Sequence, residues 1–293
     1  MTQNAALAAA IAAAKQAEDQ TQVTAGPGFE PLAAGPCYAR LVSYLELGKS
    51  DYDYRGQKKT KNNVRLVFEL FGKKHAPTIL KDDAGNVTGT IPKRITVNIN
   101  KSFGENGNWH KLMARLNWAK DITHAAEALG RAFKLTIVHV ADEKKKDVIY
   151  ANVTDSSGTF LIDPPRREID EDGEIRYETV AVPDALTPLK LFLWDFPDMD
   201  QWNSIFIDGT YAEKKDAAGN VTAPAKSKNS IQEAIKAATN YVGSPIFTLL
   251  ASAGDELDIK DDPTPPRKEA DIQKVIETKA GASAADVDPL DDL

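Results

Sequence analysis

The sequence predicts a mainly β protein with α additions: a five-stranded Greek-key barrel carrying an inserted hairpin, followed by a C-terminal α/β extension. Three observations lead there. Five segments between Cys37 and Val153 read as strands, most with apolar and polar residues alternating at period two. One segment with helical spacing separates the third strand from the fourth. Clusters of Asp, Asn and Gly punctuate the chain where strands must reverse.

The elements follow in order. Residues 1–36 start with an alanine-rich run lacking a wide apolar stripe and are broken by Gly26-Pro27-Gly28 and Gly35-Pro36, which predicts a flexible arm. The first strand spans Cys37 to Leu47, with Ala39, Leu41, Leu45 and Leu47 on one side and Tyr38, Arg40 and Tyr44 on the other. Val64, Leu66, Phe68 and Leu70 define the second strand, with Arg65, Val67, Glu69 and Phe71 opposite; Ile95, Val97 and Ile99 define the third, with Arg94 turned away. Between these two, the turn sequence at 81–88 marks the tip of an inserted hairpin. A helix over 108–130 is expected from Trp109, Leu112, Leu116, Ala125 and Ala128, with Asn108 as N-cap and Gly130 as stop. Strands at 133–141 and 148–153 complete a barrel core of about 37–154 within a domain of 37–254.

In the extension, Ile175 to Val182 reads as a strand, Leu189 to Trp194 as an apolar run, and Asp198 to Ile207 as a short helix. Ser230 and Glu233 form a capping box for a helix running to Val242. The octapeptide at 215–222 nearly repeats that at 81–88, which is read as recurrent turn chemistry. Residues 255–293 are acidic, Pro-containing and poor in large apolar side chains, the composition of a disordered tail.

The order strand, strand, strand, helix, strand, strand is that of an OB-fold, whose binding face lies on strands 2 and 3 between the loops joining strands 1–2 and 4–5. Both loops are basic here. The first holds Tyr52, Tyr54, Arg55, Lys58, Lys59 and Lys61, and the second holds Lys144, Lys145 and Lys146.

Charge is unevenly placed. The whole chain carries -7, yet Lys49 to Lys120 holds 15 basic against 6 acidic residues, while Asp255 to Leu293 holds 12 acidic against 5 basic. A basic stretch of this kind is the footprint expected for a polyanion, because each neutralised phosphate releases a counterion. A solvated lysine-rich face that binds nothing has the same composition. Single strands are held by basic grooves with aromatic platforms for the bases, and Tyr38, Arg40, Tyr44, Arg65, Phe71 and Arg94 join the loop residues as candidates.

Other classes lack their signatures. The single cysteine excludes an internal disulfide, and the four histidines show no zinc spacing, so no metal or cofactor is expected. Nucleotide-binding glycine loops, G-x-S-x-G and H-E-x-x-H are absent, so a non-catalytic protein is expected. No apolar run is long enough for a membrane span, and the alanine-rich start has no basic segment before it; the expectation is a soluble, cytoplasmic protein without a membrane partner.

Cys-Tyr-Ala-Arg-Leu-Val at 37–42, Val-Arg-Leu-Val-Phe-Glu-Leu at 64–70, the helix around Lys111 to Leu116, Phe-Leu-Trp-Asp at 192–195 and Ser-Ile-Gln-Glu-Ala-Ile-Lys at 230–236 together resemble the tailed-phage single-stranded DNA-binding proteins with an OB-fold. The resemblance spans 36–245. It implies a protein that coats single-stranded DNA during phage replication, recombination or repair in the host cytoplasm. It further implies recruitment of replication or recombination proteins through an acidic C terminus, here Asp286, Asp288, Leu290, Asp291, Asp292 and Leu293. Many such tails end in an aromatic residue, whereas this one ends in leucine. The tail could also compete with DNA for the groove, or serve only solubility. The rival readings are a phage structural or assembly protein with a basic protein-binding surface, and a nuclease or annealing factor.

Overall fold

The computed structural model describes residues 30–105, 107–142, 148–171, 174–216 and 219–254. The chain divides into two units, residues 1–31 and 32–293, and all of the described strands and helices belong to the second. Lys144, Lys145 and Lys146, most of the alanine-rich arm, and the acidic tail with Asp286, Asp288, Leu290, Asp291, Asp292 and Leu293 lie outside the described residues.

The fold is mainly β and its sheets are mostly antiparallel. Strands β1 (Gly35–Tyr54) and β2 (Gln57–Phe71) form one long hairpin closed by Arg55 and Gly56, whose φ values of 53° and 77° suit a two-residue turn between right-twisted strands. The small inserted hairpin β3 (Thr78–Lys81) and β4 (Val87–Ile91) precedes β5 (Arg94–Asn100), which pairs with β2. Helix α1 (Asn108–Leu116) leads to β6 (Ala132–Ala141), antiparallel to the start of β1, and β7 (Ile149–Asn152) and β8 (Ile162–Asp163) both pair with β6. The sheet path is β5-β2-β1-β6-β7.

Among the described residues no ladder joins β5 to β7, so hydrogen bonds do not close this sheet into the expected barrel. β6 pairs with β1 through Ala132–Ile137, and β7 pairs only with Val138–Ala141, beyond the point where β1 begins.

The helix is also shorter than its spacing suggested. Asn117 ends α1 because its side chain takes the backbone N–H of Asp121 at 2.9 Å and donates to the Ile122 carbonyl at 2.8 Å. A separate 3₁₀ turn at Ala125–Ala128 then starts from His124, capped reciprocally by Glu127. Gly107, not Asn108, precedes the first turn of α1.

The extension begins with the hairpin β9 (Arg166–Glu171) and β10 (Glu174–Thr179), and β11 (Lys190–Phe192) then runs parallel to β1. Helix α2 (Met199–Ser204) is followed by two short pairs, β12 (Thr210–Tyr211) with β15 (Lys226–Ser227) and β13 (Lys214–Lys215) with β14 (Val221–Ala223). The helix expected to reach Val242 ends at Lys236, as α3 (Ser230–Lys236), and a further helix, α4 (Pro245–Ala253), follows beyond the expected span. Ser244 accepts the Phe247 N–H to start α4. Asn229 rather than Ser230 flanks α3, and it makes no side-chain cap.

Two cores result from one strand. Cys37, Ala39, Leu41 and Tyr44 of β1 face a core shared with β2, β5, α1 and β6, whereas Leu45 and Leu47 face a second core with Phe192, Trp194, Trp202, Ile235, Ile246 and Leu250. The switch occurs at a register shift between Leu41 and Ser43, where one extra residue reverses which side chains point inward. A second shift between Glu46 and Gly48 reverses it again.

Candidate nucleic-acid interface

Beyond these cores the β1–β2 hairpin continues as a two-stranded arm. The first sequence-predicted loop is therefore regular structure, with pairs running from Gly48↔Asn63 to Tyr54↔Gln57. Directly opposed residues of an antiparallel pair share a face. Ser50, Tyr52, Tyr54, Gln57, Lys59, Lys61 and Asn63 consequently share one side, and strict alternation along β2 carries that side on to Arg65. Lys49, Asp51, Asp53, Lys58, Thr60 and Asn62 share the other.

The two sides differ in chemistry. The first has lysines and tyrosines and no carboxylate. Lys59 Nζ sits 4.0 Å from the centre of the Tyr54 ring, Arg55 5.2 Å from the same ring, and Lys61 Nζ 5.6 Å from the Tyr52 ring. On the second side the carboxylates hold the arm together: Asp51 accepts the Thr60 hydroxyl at 2.6 Å and Asp53 accepts the Gly56 N–H at 2.8 Å. Lys58, expected to act with Lys59 and Lys61, is on this second side, where Lys49 and Lys58 are balanced by Asp51 and Asp53.

Along the first face, Arg65 donates to Asn98 Oδ1 at 2.9 Å, and Thr96 and Arg94 of β5 continue the exposed surface. Here the fold adds a residue that the sequence reading missed. Lys190, at the head of β11, pairs with Ser43 on the outer side of β1, close enough to Arg94 for the two charges to interact. Burial, and then the Arg94 charge, hold the Lys190 ammonium below the usual lysine range. No carboxylate forms an ion pair with either side chain among the described residues. Glu69, paired with Arg94 across the strands, is turned instead to the backbone N–H groups of Leu186 and Thr187 at 2.8 and 2.7 Å. A lysine opening an apolar run was the only trace of this site in the sequence.

Other expected residues do not join this face. Tyr44 is fully buried, and its hydroxyl donates to Glu46 at 2.9 Å; burial first, then the Glu46 charge, push that hydroxyl up. The register shift before Ser43 inverted the side it was assigned. Arg40 is a clamp for the extension, donating to the carbonyls of Pro183, Val182 and Gly130 at 2.6, 2.6 and 2.8 Å. Tyr38 and Phe71 oppose each other, half-buried, at the far end of the outer face. The segment that bonds Arg40 and Glu69 lies between them and the arm.

Glu46 fixes the foot of the arm. Its carboxylate accepts from Lys101 Nζ at 2.5 Å, Tyr44 Oη at 2.9 Å and the Trp194 backbone N–H at 2.9 Å. Burial pushes Glu46 up, but the bonds from Lys101 and Trp194 and the Lys101 charge outweigh it, and the group ends below the ordinary carboxylate range. At Gly48, an added Cβ would lie 2.3 Å from the Trp194 ring, so the arm leaves the sheet where only glycine fits against the extension.

Among the described residues no group of three or more His, Cys, Asp or Glu is placed to hold a metal, and no helix is long and apolar enough to cross a membrane. Burial pushes the Cys37 thiol up to about 11, so it stays protonated at neutral pH. No protein-family model, curated protein or solved structure matches the chain.

Proposed function

We propose that the protein binds single-stranded DNA without sequence preference and without catalysis, as an OB-type domain whose strand 1–2 connection is extended into a gripping arm. The observation that carries this reading is the arm's carboxylate-free face, on which Tyr52 and Tyr54 alternate with Lys59 and Lys61 and which continues through Arg65 toward Arg94 and Lys190. Bases stack on the tyrosine rings, and phosphates exchange their counterions for the lysines and arginines. The strand order, third-second-first-fourth-fifth among the sequence-predicted strands, supports the OB-type reading. The sequence resemblance to phage single-stranded DNA-binding proteins is what suggests a role in phage replication, recombination or repair in the host cytoplasm. The acidic residues after Gly254 then compete for the basic face or recruit partner proteins.

Fluorescence anisotropy of a labelled oligothymidine and a matched duplex, at two salt concentrations, tests the proposal. Binding to the single strand that weakens steeply with salt and exceeds duplex binding supports it. Absence of single-strand binding refutes it. A phage assembly role is the second reading, favoured by the exposed apolar side chains of Ile79, Leu80, Val87 and Ile91 on the β3–β4 hairpin; large DNA-independent oligomers on a sizing column would turn the reading that way.

A further inference from the structure

At the foot of the arm, on the side away from Tyr52 and Tyr54, a cavity of about 170 Å³ opens between the end of β5, the first turn of α1 and the start of the 3₁₀ turn. Its lining has a distinct composition. Phe103, Trp109, His110 and His124 contribute four planar rings, Met113 and Ala125 add apolar surface, Lys101 and Thr123 add polar groups, and no carboxylate lines it.

Phe103 is the telling side chain. It is 83% exposed, more than any other phenylalanine in the described residues. Its loop is compact: Ser102 N–H bonds the Asn100 carbonyl at 3.0 Å and Gly107 N–H bonds the Gly104 carbonyl at 2.9 Å. Gly107 is packed so closely that an added Cβ would lie 3.0 Å from the Gly104 oxygen. The backbone therefore holds a large apolar ring in water over a cavity whose floor includes Trp109, itself 5% exposed. An exposed ring kept in this way has no role in the protein's own packing, and burying it against a ligand recovers the hydrophobic gain it forgoes.

The polar groups say what kind of ligand. His124 Nδ1 accepts the Ala126 N–H at 3.2 Å, so in the neutral ring the proton is on Nε2, which lies 3.9 Å from Glu46. His110 supplies a further ring nitrogen, whereas the Thr123 hydroxyl donates to Glu127 at 3.1 Å and the Lys101 ammonium to Glu46 at 2.5 Å; no side chain caps the first turn of α1. Rings for stacking and imidazole nitrogens for a heteroatom edge match a nucleobase, while the Lys101 charge is already balanced by Glu46. The cavity is also contiguous with the arm, because Lys101 donates its backbone N–H to the Asn62 carbonyl at 2.7 Å.

We propose that this cavity takes one unstacked base of the bound single strand, held between Phe103 and the Trp109–His110–His124 wall where the strand rounds the β2 edge of the arm. The inference rests on the single-strand reading and adds a second contact point to it. The site differs from the tyrosine face: there bases stack on an open surface, and here one base enters a recess.

Cross-linking with oligothymidine carrying 5-iodouridine, followed by mass spectrometry of the full-length protein, tests it together with anisotropy on Phe103→Ala. Phe103 is exposed, so the substitution leaves the core intact, and an unchanged melting temperature checks this. A cross-link at Phe103, Trp109 or His110 and about tenfold weaker binding by Phe103→Ala are expected, in line with the loss of one stacked base. Cross-links confined to Tyr52 and Tyr54, with Phe103→Ala binding like the parent, overturn the cavity proposal and leave single-strand binding standing. If the parent itself binds no oligothymidine, both readings fall.

Discussion

Replacing both arm tyrosines by alanine, Tyr52→Ala with Tyr54→Ala, separates stacking from charge. Each base stacked on an aromatic side chain is worth about 1–3 kcal/mol, so two give about 2–6 kcal/mol. In the free protein those rings already carry Lys59 at 4.0 Å and Lys61 at 5.6 Å. The stacking figure comes from alanine substitution and already includes the cation–π contacts the rings give up, so the expected loss is about 2–6 kcal/mol, or roughly 30-fold or more in affinity. No cation is removed, so the slope of log K against log salt should stay at the parent value. Lys59→Ala with Lys61→Ala should lower that slope by about 1.4, at about 0.7 per phosphate contact on a single strand. Lys49→Ala with Lys58→Ala removes the same charge from the face shared with Asp51 and Asp53, and should lower it by less than half as much. Anisotropy titrations of oligothymidine over a salt series read all three. Equal slope changes for the two lysine pairs would refute the reasoning, because binding would then follow net charge rather than a face.

The remaining predictions concern residues that support the arm. Gly48→Ala puts a Cβ 2.3 Å from the Trp194 ring at a φ of +79°, and overpacking together with left-handed strain should cost about 2–5 kcal/mol in urea unfolding. Glu46 has a folded-state value below the ordinary 4.5, so the stability it contributes is present above that pH and lost as the pH falls through its depressed value. Glu46→Gln should therefore be less stable than the parent near neutral pH, with the gap narrowing below about pH 4.5; a gap that does not change with pH contradicts this. Lys190→Ala should lower the salt slope by about 0.7 while Lys190→Arg keeps it, and a parental slope in the alanine variant would remove Lys190 from the binding face.

Much of the local structure was legible because it depends on neighbours in the chain. The octapeptide at 81–88 and its near repeat at 215–222 share their described contacts: Asp82 and Asp216 accept the backbone N–H of Asn86 and Asn220 at 2.8 and 2.9 Å, and Gly85 and Gly219 both have a φ of 85°. Alternation along β2 and β5 placed Val64, Leu66, Phe68, Ile95, Val97 and Ile99 in the core. Reading failed where an inserted residue or a distant side chain intervened. The register shift in β1 buried Tyr44 and moved Leu45 and Leu47 to a second core, which no alternation within β1 announces. Asn117 cut the helix short by bonding the chain beyond it, and Val182 and Pro183 drew Arg40 away from any ligand.

The sequence by itself determined that the protein is mainly β, where the core strands of the sheet fall, and that a stretch rich in lysine and tyrosine links the core segments of the first two strands. Those features follow from side-chain periodicity and turn chemistry, which act over a few residues. Only the tertiary structure decided which of these residues face together. Cross-strand register set Lys59 and Lys61 beside the tyrosines and Lys58 behind them, and the parallel pairing of β11 brought Lys190, 96 residues after Arg94, to the same surface. Register and long-range pairing depend on the packing of both cores at once, and that information is not carried by any short segment of the chain.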